Sequence, residues 1–102
     1  MLMESAFDEA SNTAKLTLPE TLTGESAEAL IEELLAQQNN NLDIDAGSVV
    51  RLDTPCIEVF LAAKKLWERD RCQVQFSQPS SSFNETISVL GLEQTDLETG
   101  AS

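Results

Sequence analysis

The sequence predicts an α/β domain, a mixed, mostly parallel sheet of four to five strands with three to four helices. Two observations predict it. Short segments at 14–18, 42–46 and 72–76 alternate apolar and polar residues, the period-2 pattern of half-buried strands. Longer segments at 27–35 and 55–70 carry apolar residues at helical spacing. Strands alternating with helices imply right-handed crossovers and a parallel sheet. The length of 102 residues fits one domain, placed at 1–98, with a frayed tail at 99–102.

Each element has its own signal. A short edge strand is expected around 6–9, before a turn at Ser11-Asn12. The strand at 14–18 stops at Pro19, which has no N–H for a ladder. After Gly24, Ala27, Leu30, Ile31, Leu34 and Leu35 form one apolar helical stripe, with Glu25 and Glu28 near the helix start where negative charge suits the dipole. The run 37–41 of glutamine and asparagine ends that helix. The strand at 42–46 leads to a Gly47-Ser48 turn and a short apolar segment at 49–52. Pro55 is expected at the first helical position with Thr54 as N-cap. The helix from Pro55 to about Asp70 is apolar all round at its start, which implies deep burial there, and Trp67 is expected half-exposed. After the strand at 72–76, Ser80, Ser81 and Ser82 make a turn and cap a last helix carrying Phe83, Ile87 and Leu90, closed by Gly91. A final edge strand is expected at 95–98.

Composition narrows the function classes. Eighteen acidic residues against six basic ones give a net charge of −12. Nucleic-acid binding is disfavoured, because it depends on Lys and Arg neutralising phosphates. An anionic membrane surface is disfavoured for the same reason, and no apolar run approaches the roughly 18 residues of a membrane span. With no histidine, serine triads are excluded and metal ligation is left to two cysteines and carboxylates. No glycine-rich phosphate loop occurs, so no metal and no cofactor is expected. A two-carboxylate hydrolase is the remaining enzymatic reading, and a small closed domain offers it little room. Residues 1–7 carry no targeting pattern, and Cys56 and Cys72 are expected as reduced thiols, so the expected location is cytoplasmic.

Several pieces in order resemble the core of STAS domains, the anti-sigma-factor-antagonist family. They are Ile44-Asp45-Ala46, Leu52-Asp53-Thr54-Pro55-Cys56, the helix from Ile57 to Trp67, the strand at 72–76, Gln78-Pro79-Ser80, and Val89-Leu90-Gly91-Leu92. A looser match runs through 16–20 and the helix after Gly24. The resemblance implies a STAS-like fold and a non-catalytic protein-interaction module in bacterial signal transduction. It implies a regulatory protein partner, an anti-sigma-type or histidine kinase, with the module chemotaxis-associated. Its site would be Asp53, Thr54, Pro55, Cys56 and Glu58, with Ser80 and Ser81 on a second loop of the same edge.

In many family members the second hydroxyl of an Asp-Ser/Thr-Ser/Thr-Gly turn is phosphorylated. Here that position is Pro55 and the glycine is Cys56, so any phosphorylation falls to Thr54. Members that keep one threonine include the small cytosolic subunit of a lipid-transport ATPase complex, which is the alternative reading. The bland reading makes Thr54 a helix cap, Asp53 a turn former and Cys56 a core thiol. The chain is expected to be a monomer or weak homodimer.

Overall fold

The computed structural model describes residues 4–99. Strand β1 (Glu4–Asp8) forms a hairpin with β2 (Thr13–Thr17). The Asp8 carboxylate accepts hydrogen bonds from Ala10 N–H at 3.1 Å and Ser11 Oγ at 3.0 Å, which closes the turn before Asn12, at φ 53°. A two-residue strand β3 (Thr21–Leu22) and a 3₁₀ turn (Gly24–Ser26) lead into α1 (Ala27–Ala36). Strand β4 (Asn41–Asp45), short β5 (Arg51–Leu52) and α2 (Thr54–Arg69) follow. Strand β6 (Val74–Ser77), α3 (Ser81–Val89) and a 3₁₀ turn (Gln94–Leu97) complete the described chain.

The main sheet has the order β1-β2-β4-β6, with β1 antiparallel to β2 and the other pairs parallel. Register explains the core. Ala14 pairs with Leu42 and Leu42 with Val74, while Leu16 pairs with Ile44 and Ile44 with Phe76. All six side chains are buried and point to one face. On the other face Lys15 and Gln75 are exposed. Parallel sheets are usually covered on both faces. This one is packed on one, which is why its strands alternate instead of being apolar throughout.

The helices supply the other layer. Phe60 of α2 meets Phe76 edge-on at 5.3 Å between ring centroids, and Phe83 of α3 lies 5.3 Å from Phe76. Edge-to-face geometry of this kind adds about 0.5–1.5 kcal/mol per pair beyond burial. Trp67 is buried rather than half-exposed, since its indole N–H donates to Asn40 O at 2.7 Å and turns the ring into the core. Of the α1 stripe, Leu30 and Leu34 enter the core. Ile31 and Leu35 stay 41% and 49% exposed, because the stripe is wider than the surface the core presents to it.

The last element differs from expectation in type. Residues 94–97 form a 3₁₀ turn, not a strand. Glu93 N–H donates to Asp96 Oδ2 at 2.8 Å, a reciprocal cap that starts the turn, and Leu97 is fully buried. The segment still guards the edge of β6, through side chains. Gln94 Nε2 donates to Phe76 O at 2.8 Å, and the Glu98 carboxylate accepts from Phe76 N–H at 2.6 Å. Thr99 N–H donates to Val74 O at 3.0 Å and its hydroxyl accepts from Val74 N–H at 2.6 Å. Of the tail expected at 99–102, Thr99 is therefore held to β6, and 100–102 lie outside the described residues. No helix among the described residues is long and apolar enough to cross a membrane.

Candidate functional site

The strand β5 runs parallel to β3, with Leu22 opposite Leu52. This small pair brings the Thr23-Gly24 segment against the start of α2. Asp53 N–H donates to Leu22 O at 2.8 Å, which holds Asp53 extended at φ −91°, ψ 154°. The switch from strand to helix therefore falls after Asp53. Asp53 is the N-cap residue, Thr54 the first helical residue and Pro55 the second. The expected assignment, with Thr54 as cap, is off by one. A proline favours an extended residue before it. The ladder bond at Asp53 overrides that preference, and Pro55 at the second position still lies among the helix N–H groups that need no intrahelical partner.

The Asp53 carboxylate faces away from its own helix. Oδ2 accepts from Gly24 N–H at 3.1 Å, and Oδ1 lies 3.4 Å from Arg51 Nε. It ties two loops together across 29 residues of sequence. Cys56 lies beneath the corner rather than on it. Its side chain is fully buried and its thiol donates to Thr23 O at 3.2 Å. Burial, with Asp53 nearby, pushes the thiol pKa above its ordinary value of 9.0, so the group stays a neutral donor at physiological pH. Direct contact between Cys56 and a partner is ruled out by that burial. Thr54, Pro55 and Glu58 are exposed, and Asp53 is half-buried. Among the described residues the Thr54 hydroxyl has no hydrogen-bond partner.

Ser80 belongs to a neighbouring loop. Its N–H donates to Ala46 O at 3.1 Å, its hydroxyl donates to Val49 O, and the same oxygen accepts from Phe83 N–H at 3.1 Å as the cap of α3. Ser80 is thus a structural staple between the loop after β4 and α3. Ser81 is exposed at the first position of α3. No hydrogen bond among the described residues links Ser80 or Ser81 to 53–58. Both loops nevertheless lie beyond the carboxyl ends of parallel strands, where sites in open α/β sheets gather.

Sequence reasoning missed the surface next to the corner. An apolar groove of about 360 Å³ opens between α1 and α2, beginning at Pro55 and Glu58. Ile31, Leu35, Pro55 and Ala62 are its exposed apolar members. The width of the α1 stripe, from Ala27 to Leu35, is the signal in the sequence that points to it.

Residues 5–99 match the family model described as "Mlab, STAS domain". Among curated proteins there is no match. Among solved structures, the crystal structure of an antisigma-factor antagonist STAS domain from Rhodobacter sphaeroides superposes with a TM-score of 0.58 at 14% identity. That alignment covers 79% of this chain and 92% of the other. At such identity the likeness concerns the fold.

Proposed function

The chain belongs to the STAS family, and from that premise we propose that it is a non-catalytic module of bacterial signal transduction that binds a regulatory kinase through Asp53, Thr54, Pro55 and Glu58. One observation carries the reading. Thr54 and Pro55 are exposed at the tip of a helix whose start is held by ladder and carboxylate bonds. A rigid, pre-organised corner loses little conformational entropy on docking. Ser81 extends the contact edge, and Cys56 supports it from below.

The same geometry supports Thr54 as the place for any phosphate. A helix N-terminus favours an anion. Asp53 beside it and Glu58 one turn on oppose the new charge, so the modification would switch contacts by repulsion. The partner kinase with ATP is expected to add about 80 Da, one HPO₃ group, at Thr54. An unchanged intact mass removes phosphorylation by that kinase.

The corner is tested by affinity capture from the source cell with mass spectrometry. Wild-type chain is compared with Thr54→Arg, Glu58→Arg and a control, Gln75→Arg, on the opposite face of the sheet. A specific partner retained by wild type and control and lost by both corner variants is expected. Equal capture by all four, with folding checked by circular dichroism, overturns the assignment. The proline at the usual acceptor position favours a second reading, an accessory subunit of a lipid-transport ATPase. Capture of a membrane ATPase in place of a soluble kinase selects it.

A further inference from the structure

The groove between α1 and α2 has a definite polarity. At one end a Cβ on Gly24 would lie 3.8 Å from Pro55 Cγ, and at the other Gln38 Nε2 donates to Asp70 Oδ2 at 3.4 Å. The two helices therefore run parallel, with both N-termini at the corner. From Pro55 to Trp67 the groove follows more than three turns of α2, about 18 Å at about 1.5 Å per residue. Its lining is Ile31, Leu34 and Leu35 on one side and chiefly Val59, Ala62 and Leu66 on the other. Glu58 is the lone charged side chain in the lining. A small-molecule site needs several convergent polar groups to orient its ligand, and this lining lacks them. The space between two parallel helices suits the side-chain ridge of a third.

Charge selects the kind of helix. The described α1 segment holds Glu28, Glu32 and Glu33 and no basic residue. Glu28 and Glu32 each stand three residues before a groove residue, Ile31 and Leu35, and both are exposed. Glu58 adds a carboxylate at the corner end. Lys65 and Arg69 are exposed towards the far end of α2. An occupant should therefore carry cations along the α1 side and towards the corner. A second copy of the chain, itself at −12, would approach against net repulsion.

We propose that this groove is a docking channel for an amphipathic helix of a partner protein, with an apolar ridge flanked by Lys or Arg. The proposal rests on the reading of the chain as a partner-binding module and extends the contact surface from the corner along α2. The helix lies antiparallel to α1 and α2. The negative C-terminal pole of the guest then meets the positive N-terminal poles of both hosts, and the Glu58 carboxylate is what draws its cations to that end.

The chain contains its own reporter. It has one tryptophan and no tyrosine, and Trp67 lines the groove. The probe is a synthetic helical peptide with a leucine ridge at i, i+3, i+4 and i+7, lysine elsewhere, and no aromatic residue. Two controls carry glutamate in place of lysine, or the same leucines and lysines scrambled without a ridge. Titration of the full chain is expected to shift Trp67 emission saturably with the ridged lysine peptide alone. Ile31→Ser and Ala62→Glu, both at exposed positions, are expected to weaken that binding at least tenfold. Gln75→Arg, on the opposite face of the sheet, is expected to leave it within twofold. Peptide binding reads the groove and partner capture by the corner variants reads the corner, so the two succeed or fail separately.

Equal binding of the scrambled peptide means charge attraction without a groove and overturns the proposal. Absence of a saturable emission shift, together with unchanged amide NMR shifts along 31–35 and 58–66, also overturns it. So does a dimer in sedimentation velocity that Ala62→Glu abolishes, because the occupant is then a second copy. Co-flotation with anionic phosphatidylserine vesicles, lost in Ala62→Glu, would assign the face to lipid and would likewise overturn it.

Discussion

Asp53 joins backbone and side-chain duties at one position. Its N–H completes the β3–β5 ladder, its carbonyl accepts from Cys56 N–H at 3.0 Å, and its carboxylate holds Gly24. Replacing it with alanine removes the side-chain bond and leaves the backbone bonds. Asp53→Ala is expected to lower unfolding stability by about 1–2 kcal/mol, read by urea denaturation. Thr54→Glu is exposed at the first helical position and is expected to change stability by no more than about 0.5 kcal/mol. Equal losses for the two variants would contradict the division of labour between a structural aspartate and a free threonine.

Cys56 gives the corner a pH signature. Its pKa is raised in the folded chain by burial first and by Asp53 second. The unfolded thiol ionises at lower pH than the folded one. The contribution of the neutral thiol is therefore complete below the unfolded pKa, near 9, and is lost as pH climbs through the higher folded value. Urea midpoints measured from neutral pH upward are expected to fall above about pH 9. That fall should be shallower in Cys56→Ala, whose midpoint starts lower because a buried side chain has been truncated. Thiol reagents at neutral pH are expected to modify half-buried Cys72 before Cys56.

At the scale of elements, helix ends and sheet edges decide where the chain stops. The C-terminus of α3 is closed by Gly91 at φ 76°, with Gly91 N–H donating to Ser88 O at 2.9 Å and Leu92 N–H to Ile87 O at 3.0 Å. A Cβ there meets nothing within 4 Å, so the cost of Gly91→Ala is backbone strain alone. A loss of about 1 kcal/mol is expected in urea denaturation, with unchanged near-ultraviolet circular dichroism. The edge of β6 is protected by Gln94, Glu98 and Thr99 in place of a fifth strand. Removing the side chains in Gln94→Ala/Glu98→Ala frees both outward groups of Phe76. Faster exchange of the Phe76 amide and concentration-dependent self-association in gel filtration are expected. Unchanged exchange would mean that Thr99 and the buried Leu97 protect the edge without them.

At the scale of the whole molecule, the net charge of −12 works against compaction. The described ion pairs are local and partly exposed, Arg51 with Asp53 and Arg69 with Asp70, and such pairs contribute little. Self-repulsion therefore dominates the salt response. Raising sodium chloride from about 0.01 M to about 1 M shortens the Debye length from about 30 Å to about 3 Å. The urea midpoint is expected to rise across that range. Association with a cationic partner is expected to slow over the same range, read as a falling on-rate in stopped flow.

Most of the architecture was legible in the chain because strand and helix periodicities are local. The alternation at 14–18, 42–46 and 72–76 located three parallel strands, and the apolar spacing at 27–35 and 55–70 located two helices. Composition determined the anionic surface, and the ordered motifs from Ile44 to Leu92 pointed to the family. What the sequence left open depended on partners distant along the chain. The bond from Asp53 N–H to Leu22 moved the helix start by one residue. The reach of Trp67 to Asn40 buried a ring expected at the surface. Packing of α1 beside α2 decided that Ile31 and Leu35 line an open groove. Periodicity tells which side of a helix is apolar; only the neighbours' placement tells how much of that side they cover.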